Sequence, residues 1–230
     1  MPPTPTDAHP GQAPAALAGH LAVLLQLGDS ALPTGAFSHS FGLESYLAAG
    51  TVADEAGVQA WLLAYLDTQL CCTDALAMRM AATGERDTGE LDVMLDAAVV
   101  AAQVRSASRK MGAQLARLLP AALPEAGPGP WPAHYCLVFA AAAARCAVPL
   151  PLVLHTYLAG AVTALVQNAV RAVPLGQVAG QRVLGRLRPA VAAAAARALQ
   201  LPAEEFGAAA PGLEVAQMRH EHLRARMFMS

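Results

Sequence analysis

The sequence predicts an all-α protein, a single bundle of about ten helices preceded by a disordered proline-rich tail. Apolar residues recur with helical spacing in nearly every window, and the alternation typical of strands is almost absent. Only 5% of the 230 residues are aromatic, while alanine supplies much of the 55% hydrophobic fraction. That composition favours helices over strands. A chain of this length buries roughly 70% of its unfolded surface, so it needs no disulfide or metal to fold.

The domain boundaries follow from composition. Residues 1–15 contain five prolines and lack the basic start and apolar run of a secretory signal, which predicts a disordered tail. Residues 16–230 are predicted to form one helical domain, because charged residues are few (14%) and the mean hydropathy is +0.39. These values exclude general disorder.

The first half of the domain is predicted to hold three helices of clear periodicity. The first carries Leu17, Leu21, Leu24 and Leu25 and stops at Gly28. Apolar residues at i, i+3 and i+4 predict the second over 58–66 and the third over 91–102. Asp87 and Glu90 form a capping signal just before the third helix.

The second half begins with a proline-rich segment. Five prolines within 120–132 predict that no regular element forms there. Helices are then predicted over 133–147, 152–171, 177–187 and 190–200, followed by a basic terminal segment.

The uncharged stretch 146–170 admits two interpretations, because about 20 apolar residues suffice to cross a bilayer. It contains polar residues such as His155 and Asn168, and it lacks flanking basic asymmetry and an aromatic belt. These features favour the central buried helix of a bundle over a membrane span.

Charge is distributed unevenly along the chain. The formal net charge is −2, but residues 1–104 carry a net −10 and residues 105–230 a net +8. The small total excludes a general nucleic-acid binder, whereas the asymmetry is typical of a protein that docks on other proteins. The four cysteines form no metal-binding spacing, which predicts reduced thiols in the cytoplasm and no metal site.

The most unusual segment is 28–44, which packs three glycines, three serines, a proline and a histidine between two helices. Asp29, Ser38 and His39 could be interpreted as a hydrolase set. However, the G-x-S-x-G motif is missing, and adjacent side chains on a helix point apart. A shaped turn with serine caps is therefore favoured, and no catalytic residue is predicted.

A second segment spans 171–182. Gln177 and Gln181 are four residues apart, so they share a helix face that Arg171 and Arg182 bracket. The segment lacks the Lys-Ser/Thr ending of a phosphate-binding loop and follows no strand. It predicts a polar edge that faces a partner protein.

The third segment is the basic end, residues 218–230. Its histidines lack the spacing of a zinc-binding helix. A frayed tail is one interpretation, but its apolar residues need a surface to cover them. A segment that orders when a partner arrives is the other, and arginines beside an aromatic residue favour it. The predicted partner-binding residues here are His220, Glu221, Arg224, Arg226 and Phe228.

Together these segments resemble the UreF family of urease accessory proteins over residues 18–230. The resemblance rests on Leu-Pro-x-Gly-x-Phe-Ser-x-Ser-x-Gly-Leu-Glu at 32–44, Arg-x-x-Pro-Leu-Gly-Gln-x-x-Gly-Gln at 171–181 and the His-Glu…Phe-x-Ser ending at 220–230. Arg226 matches the arginine of the family's Arg-Leu-Phe-x-Ser ending, whereas Met227 and Met229 depart from the family pattern.

The resemblance implies a cytoplasmic, all-helical chaperone that is not an enzyme and has no cofactor. Such a protein dimerises and bridges the accessory protein UreD, also called UreH, to the GTPase UreG while apo-urease receives nickel. Neither nucleic acid nor membrane is an expected partner. The alternative is a small helical membrane-associated protein with a buried or spanning segment at 146–170, and a hydrolase using Ser38 and His39 is a remote third.

Overall fold

The computed structural model describes residues 12–173, 175–207 and 210–230, and within these ranges it is helical without strands. The all-α prediction is confirmed. Ten α-helices lie in the described ranges: α1 Gln12–Gly28, α2 Leu43–Ala48, α3 Glu55–Tyr65, α4 Leu76–Thr83, α5 Thr88–Ala98, α6 Ala102–Ala122, α7 Tyr135–Arg145, α8 Leu150–Ala172, α9 Gln177–Ala198 and α10 Pro211–Arg219. Most of the predicted tail lies outside the described residues, and its end, from Gln12, already belongs to α1.

Helices α3 and α4 are joined without a break by a π-helical stretch, Leu66–Ala75, which we call the π segment. It buries Leu70, Cys71 and Cys72. The wider turn changes which residues face the interior, and it brings Asp74 to the wall of an internal cavity. π-helical turns are uncommon and are frequent at functional sites.

Helix α8 lies at the centre of the bundle, against α9, α7, α1 and the π segment. By length and composition it is the one helix in the described ranges that could cross a bilayer. Nine of its residues are buried inside the bundle, and Asn168 is fully buried. The interpretation as a central packed helix fits this arrangement.

Two predicted interruptions of helices are wrong. Helix α9 runs unbroken from Gln177 to Ala198 although Pro189 lies inside it. Pro189 is on the exposed side, so the helix loses a single backbone bond while its apolar face stays buried. Likewise α6 continues through Pro120 to Ala122, and Pro124–Ala126 form a 3-10 turn in the segment expected to be irregular.

Two further expectations change in detail. The predicted helix 91–102 ends at Ala98, because Val99 is extended, and Arg105 Nη1 donates to the Val99 carbonyl at 2.8 Å across the break. Helix α1 buries Leu24 and Leu27, whereas the leucines at 17, 21 and 25 are exposed. The hydrophobic stripe of α1 is thus wider than the face that the bundle covers.

The start of α7 is fixed by side chains from α5 and α6. Asp92 accepts the backbone N–H groups of Ala133 at 2.8 Å and His134 at 3.0 Å. Such bonds satisfy donors that a helix start leaves unpaired. Gly112 of α6 packs directly against the Ala133 carbonyl, so α6 and α7 approach as closely as their backbones allow.

Candidate functional site

The C-terminal residues 223–230, which we call the tail, are docked on residues 38–44, which we call the cradle. Met229 N donates to the Ser38 carbonyl at 2.7 Å. The main-chain oxygen of Ser230 accepts from Phe41 N at 3.0 Å, from the Ser40 hydroxyl at 2.7 Å and also from Ser40 N. The frayed tail and the segment that orders only when a partner arrives are therefore both wrong for the chain alone, because the tail backbone pairs with the turn that follows α1.

A single carboxylate anchors the middle of the tail. Glu44 accepts the N–H groups of Met227 at 2.6 Å and Phe228 at 3.2 Å, and His220 Nε2 lies 2.7 Å from it. The other ring nitrogen of His220 is 3.0 Å from Gln103 Oε1. Glu44 and His220 are both buried, where charge-assisted hydrogen bonds are strongest.

The shape of the cradle depends on left-handed backbone at Phe41 (φ 51°) and Gly42 (φ 97°). Glycine adopts such angles without strain. A side chain at position 42 would also meet Gln217 Cγ at 2.9 Å. Gln217 itself donates to the Phe41 carbonyl at 3.2 Å, so α10 supports the cradle from below.

His39 links the cradle to both the tail and α8. Its Nδ1 is 2.8 Å from the Ser230 hydroxyl, and its carbonyl accepts from Asn168 Nδ2 at 2.8 Å. Burial, with Lys110 and His220 as smaller contributions, lowers the pKa of His39 to about 4. The ring is therefore neutral at physiological pH and is directed at Ser230 rather than at Ser38.

The stability of the folded chain should depend on pH through the protonation of His39. In the unfolded chain the ring takes up a proton near pH 6.5, whereas in the folded chain it does so near pH 4. The unfolded state thus binds more protons between these values, and stability falls as the pH falls through them. Burial raises the pKa of Asp74 to about 6. Protonation of Asp74 therefore favours the folded state as the pH falls, which opposes the effect of His39. We expect the melting temperature to fall less from pH 7 to pH 5 in His39→Gln than in the wild type, and equal losses would contradict this.

Phe228 brings the second segment to the tail. Its ring is buried, and the Arg171 guanidinium lies over it at 5.4 Å from the centroid. Arg171 Nη1 also donates to the Phe37 carbonyl at 3.4 Å. A cation over an aromatic face is favourable. Residues from all three sequence segments therefore meet at the tail.

The structure divides the predicted partner-binding residues into two groups. His220 and Phe228 are buried against the chain's own residues. The other seven are exposed: Arg171, Gln177, Gln181, Arg182, Glu221, Arg224 and Arg226. Arg182 forms a bidentate ion pair with Glu55, at 2.7 and 3.2 Å, and this pair lowers the pKa of Glu55. Within the described residues, no hydrogen bond connects Gln177 or Gln181 to the tail. All nine stay predictions as partner contacts.

The residues that sequence reasoning missed are the buried polar ones. Glu44, Asn168 and Gln217 hold the cradle and the tail, and Ser45 donates to the Ala216 carbonyl at 2.7 Å. Their partners lie far away in the chain, so no local spacing marks them. The one available signal was a charged or amide side chain on an otherwise apolar helix.

Ser108, His134 and Asp96 form a hydrogen-bonded series elsewhere in the bundle. His134 Nδ1 is 3.0 Å from Ser108 Oγ, and Nε2 is 3.1 Å from Asp96 Oδ1. Asp96 also pairs with Arg109, and Ser108 accepts from Tyr135 N at 3.4 Å. These bonds hold the start of α7, and burial lowers the pKa of His134. Within the described residues, no three His, Cys, Asp or Glu side chains converge on a metal-sized site.

Comparison with known proteins extends the similarity far beyond the three segments. A family model described as UreF matches residues 52–188. The urease accessory protein UreF of Paenarthrobacter aurescens (strain TC1) is 49% identical over 216 residues, which cover 90% of this chain and 96% of that protein. The UreF of Arthrobacter sp. (strain FB24) is 47% identical over 94% of this chain and 100% of its own length. The UreF of Corynebacterium glutamicum (strain R) is 40% identical over 90% of this chain and 97% of its own length.

Proposed function

Because the chain belongs to the UreF family of urease accessory proteins, we propose that it bridges two other accessory proteins during nickel loading of apo-urease. In this role it acts in the cytoplasm as a homodimer, binds UreD (UreH) and recruits the GTPase UreG. It contributes binding surfaces and catalyses no reaction, so it is not an enzyme. Nickel is the cargo of the assembly and is not a resident cofactor of this chain.

The docked tail carries this proposal. Glu44, His220 and Phe228 hold the tail from inside, while Arg224 and Arg226 remain exposed. The buried residues thus position the exposed arginines, and fixing a side chain before binding lowers the entropic cost of forming a complex. The role proposed for His220 and Phe228 is positioning, whereas that of the arginines is direct contact.

The exposed face of α9 supports a partner of negative charge. It presents Arg182, Arg186 and Arg188, of which Arg182 and Arg186 share the single carboxylate of Glu55. The net positive charge of this face favours a surface of complementary charge and speeds the encounter with it.

We expect Arg226→Ala to weaken the recruitment of UreG in the presence of UreD by roughly thirtyfold, which is about 2 kcal/mol. Arg226 is exposed, so its removal should leave the melting temperature unchanged. The measurements are thermal melting of the variant alone and titrated pull-down of UreG with UreD present.

Arg117→Ala is the matched control, because Arg117 is also exposed but lies on α6. It should recruit UreG as the wild type does. Unchanged recruitment by Arg226→Ala would refute the role of this arginine. A wild-type chain that stays monomeric and binds neither UreD nor UreG would refute the whole proposal.

A further inference from the structure

Beneath α1 the bundle contains a cavity of about 490 Å³. This volume falls within the range of roughly 300–1,000 Å³ that is typical of small-molecule sites. Its walls come from α1, the turn after it, the π segment and helices α5 to α8. Leu25 and Asp29 belong to the lining and are exposed, so they mark the open side between α1 and α8. The tail lies on the cradle and leaves this space free.

The carboxylates among the described lining residues of the cavity have no lysine or arginine counterpart there. Its described lining residues include two carboxylates, Asp29 and Asp74, and neither lysine nor arginine. Asp29 is at the open side, where its Oδ1 also accepts from Ala31 N at 2.8 Å. Asp74 is in the interior. A cation that enters therefore meets a carboxylate at either end and no like charge along the wall.

Asp74 is the interior anchor of the cavity. The π segment carries it, and its Oδ2 accepts the Tyr157 hydroxyl at 2.6 Å. Burial raises the pKa of this carboxyl to about 6, because a charge without a counter-ion is unfavourable in such surroundings. A bound cation would relieve that cost by pairing with the carboxylate.

Aromatic rings lie next to this carboxyl. Tyr157 is 5.4 Å from Phe139 and 5.9 Å from Tyr135, measured between ring centroids, and all three rings line the cavity. The faces of such rings attract cations. The remaining wall is mostly apolar, with Leu27, Leu70 and Leu165 among its residues.

We propose that this cavity is a binding site for an organic cation that joins a primary ammonium group to an apolar body. The ammonium group pairs with Asp74 beside the ring of Tyr157, and the apolar body fills the space under α1. A neutral apolar ligand would leave the Asp74 carboxylate without a counter-ion, and an anion would be repelled by both carboxylates.

The test compares two probes of nearly equal shape, 4-phenylbutylammonium and 4-phenylbutan-1-ol, by calorimetric titration of the wild-type chain at pH 7.5. A charge-assisted bond to Asp74 should make the ammonium bind at least about tenfold more tightly. Equal affinities, tighter binding of the alcohol, or no binding of either probe at millimolar concentration would each overturn the proposal.

Two variants test whether Asp74 is the residue that binds the ammonium group. Asp74→Asn keeps an acceptor for the Tyr157 hydroxyl but removes the charge, so the preference for the ammonium should vanish. Asp67→Asn removes the same charge from the exposed side of the π segment and should retain the preference. A preference that survives in Asp74→Asn would overturn the assignment. If that variant does not fold, the affinity ratio in the wild type still decides.

Discussion

Glu44→Ala is expected to release the tail and to lower the free energy of unfolding by about 3 kcal/mol, because three donors lose a buried acceptor. For a chain of this size that corresponds to roughly 6–12 °C in melting temperature. The freed tail should also become sensitive to trypsin at Arg224 and Arg226. Thermal melting and the initial rate of tail cleavage measure the two effects.

Glu221→Ala is the matched control, since it removes an exposed glutamate beside the tail. Its melting temperature and cleavage rate should equal those of the wild type. If Glu44→Ala melted normally and its tail stayed resistant to trypsin, Glu44 would not be the anchor. Because Arg226 needs the docked tail, Glu44→Ala should also recruit UreG poorly.

Gly112→Ala is expected to destabilise the bundle by about 3 kcal/mol, again a loss of roughly 6–12 °C. The added Cβ would overlap the Ala133 carbonyl oxygen and lie 3.0 Å from the carbonyl carbon of His134. Both obstacles are backbone atoms at the start of α7, which Asp92 holds in place, so they cannot rotate away. Equilibrium denaturation in urea measures the change.

Gly185→Ala separates this clash from the ordinary effect of alanine in a helix. Gly185 lies inside α9, and a Cβ there meets nothing closer than Arg188 Nη2 at 3.6 Å. It should stabilise the chain by about 0.5–1 kcal/mol, because alanine favours helices more than glycine does. Similar losses in the two variants would show that the close approach of α6 and α7 is not the cause.

Sequence periodicity predicted the helices well where one face is apolar and local caps agree with it. Asp87 does cap α5, with its Oδ1 2.8 Å from Gly89 N. The errors arise where tertiary packing outweighs a local signal. Pro189 and Pro120 each sit on an exposed side of a helix whose other face is buried, so burial of that face keeps the helix intact. The π segment has no sequence pattern of its own, and nothing local could have indicated it.

The sequence indicated which segments form the candidate site, but it did not indicate the contacts that join them. The three segments differ from the rest of the sequence in their unusual residues, and the structure brings residues from all three together around Phe228. Glu44 and His220, which are 176 residues apart, join the first segment to the third, and Arg171 joins the second segment to Phe228. Long-range pairs of this kind are fixed by the packing of helices between them, which a single sequence does not display.

The docked tail also has a consequence for the timing of folding. The hydrogen bonds between Ser40 or His39 and Ser230 span 190 and 191 residues. At a synthesis rate of about 5–20 residues per second, the cradle waits roughly 10–40 s after it is made before its partner residue exists. During that interval the helices form through local contacts while the carboxylate of Glu44 remains hydrated and unpaired. Docking of the tail therefore comes late in synthesis, and the arginines of the tail are held in place only after residue 230 has been made.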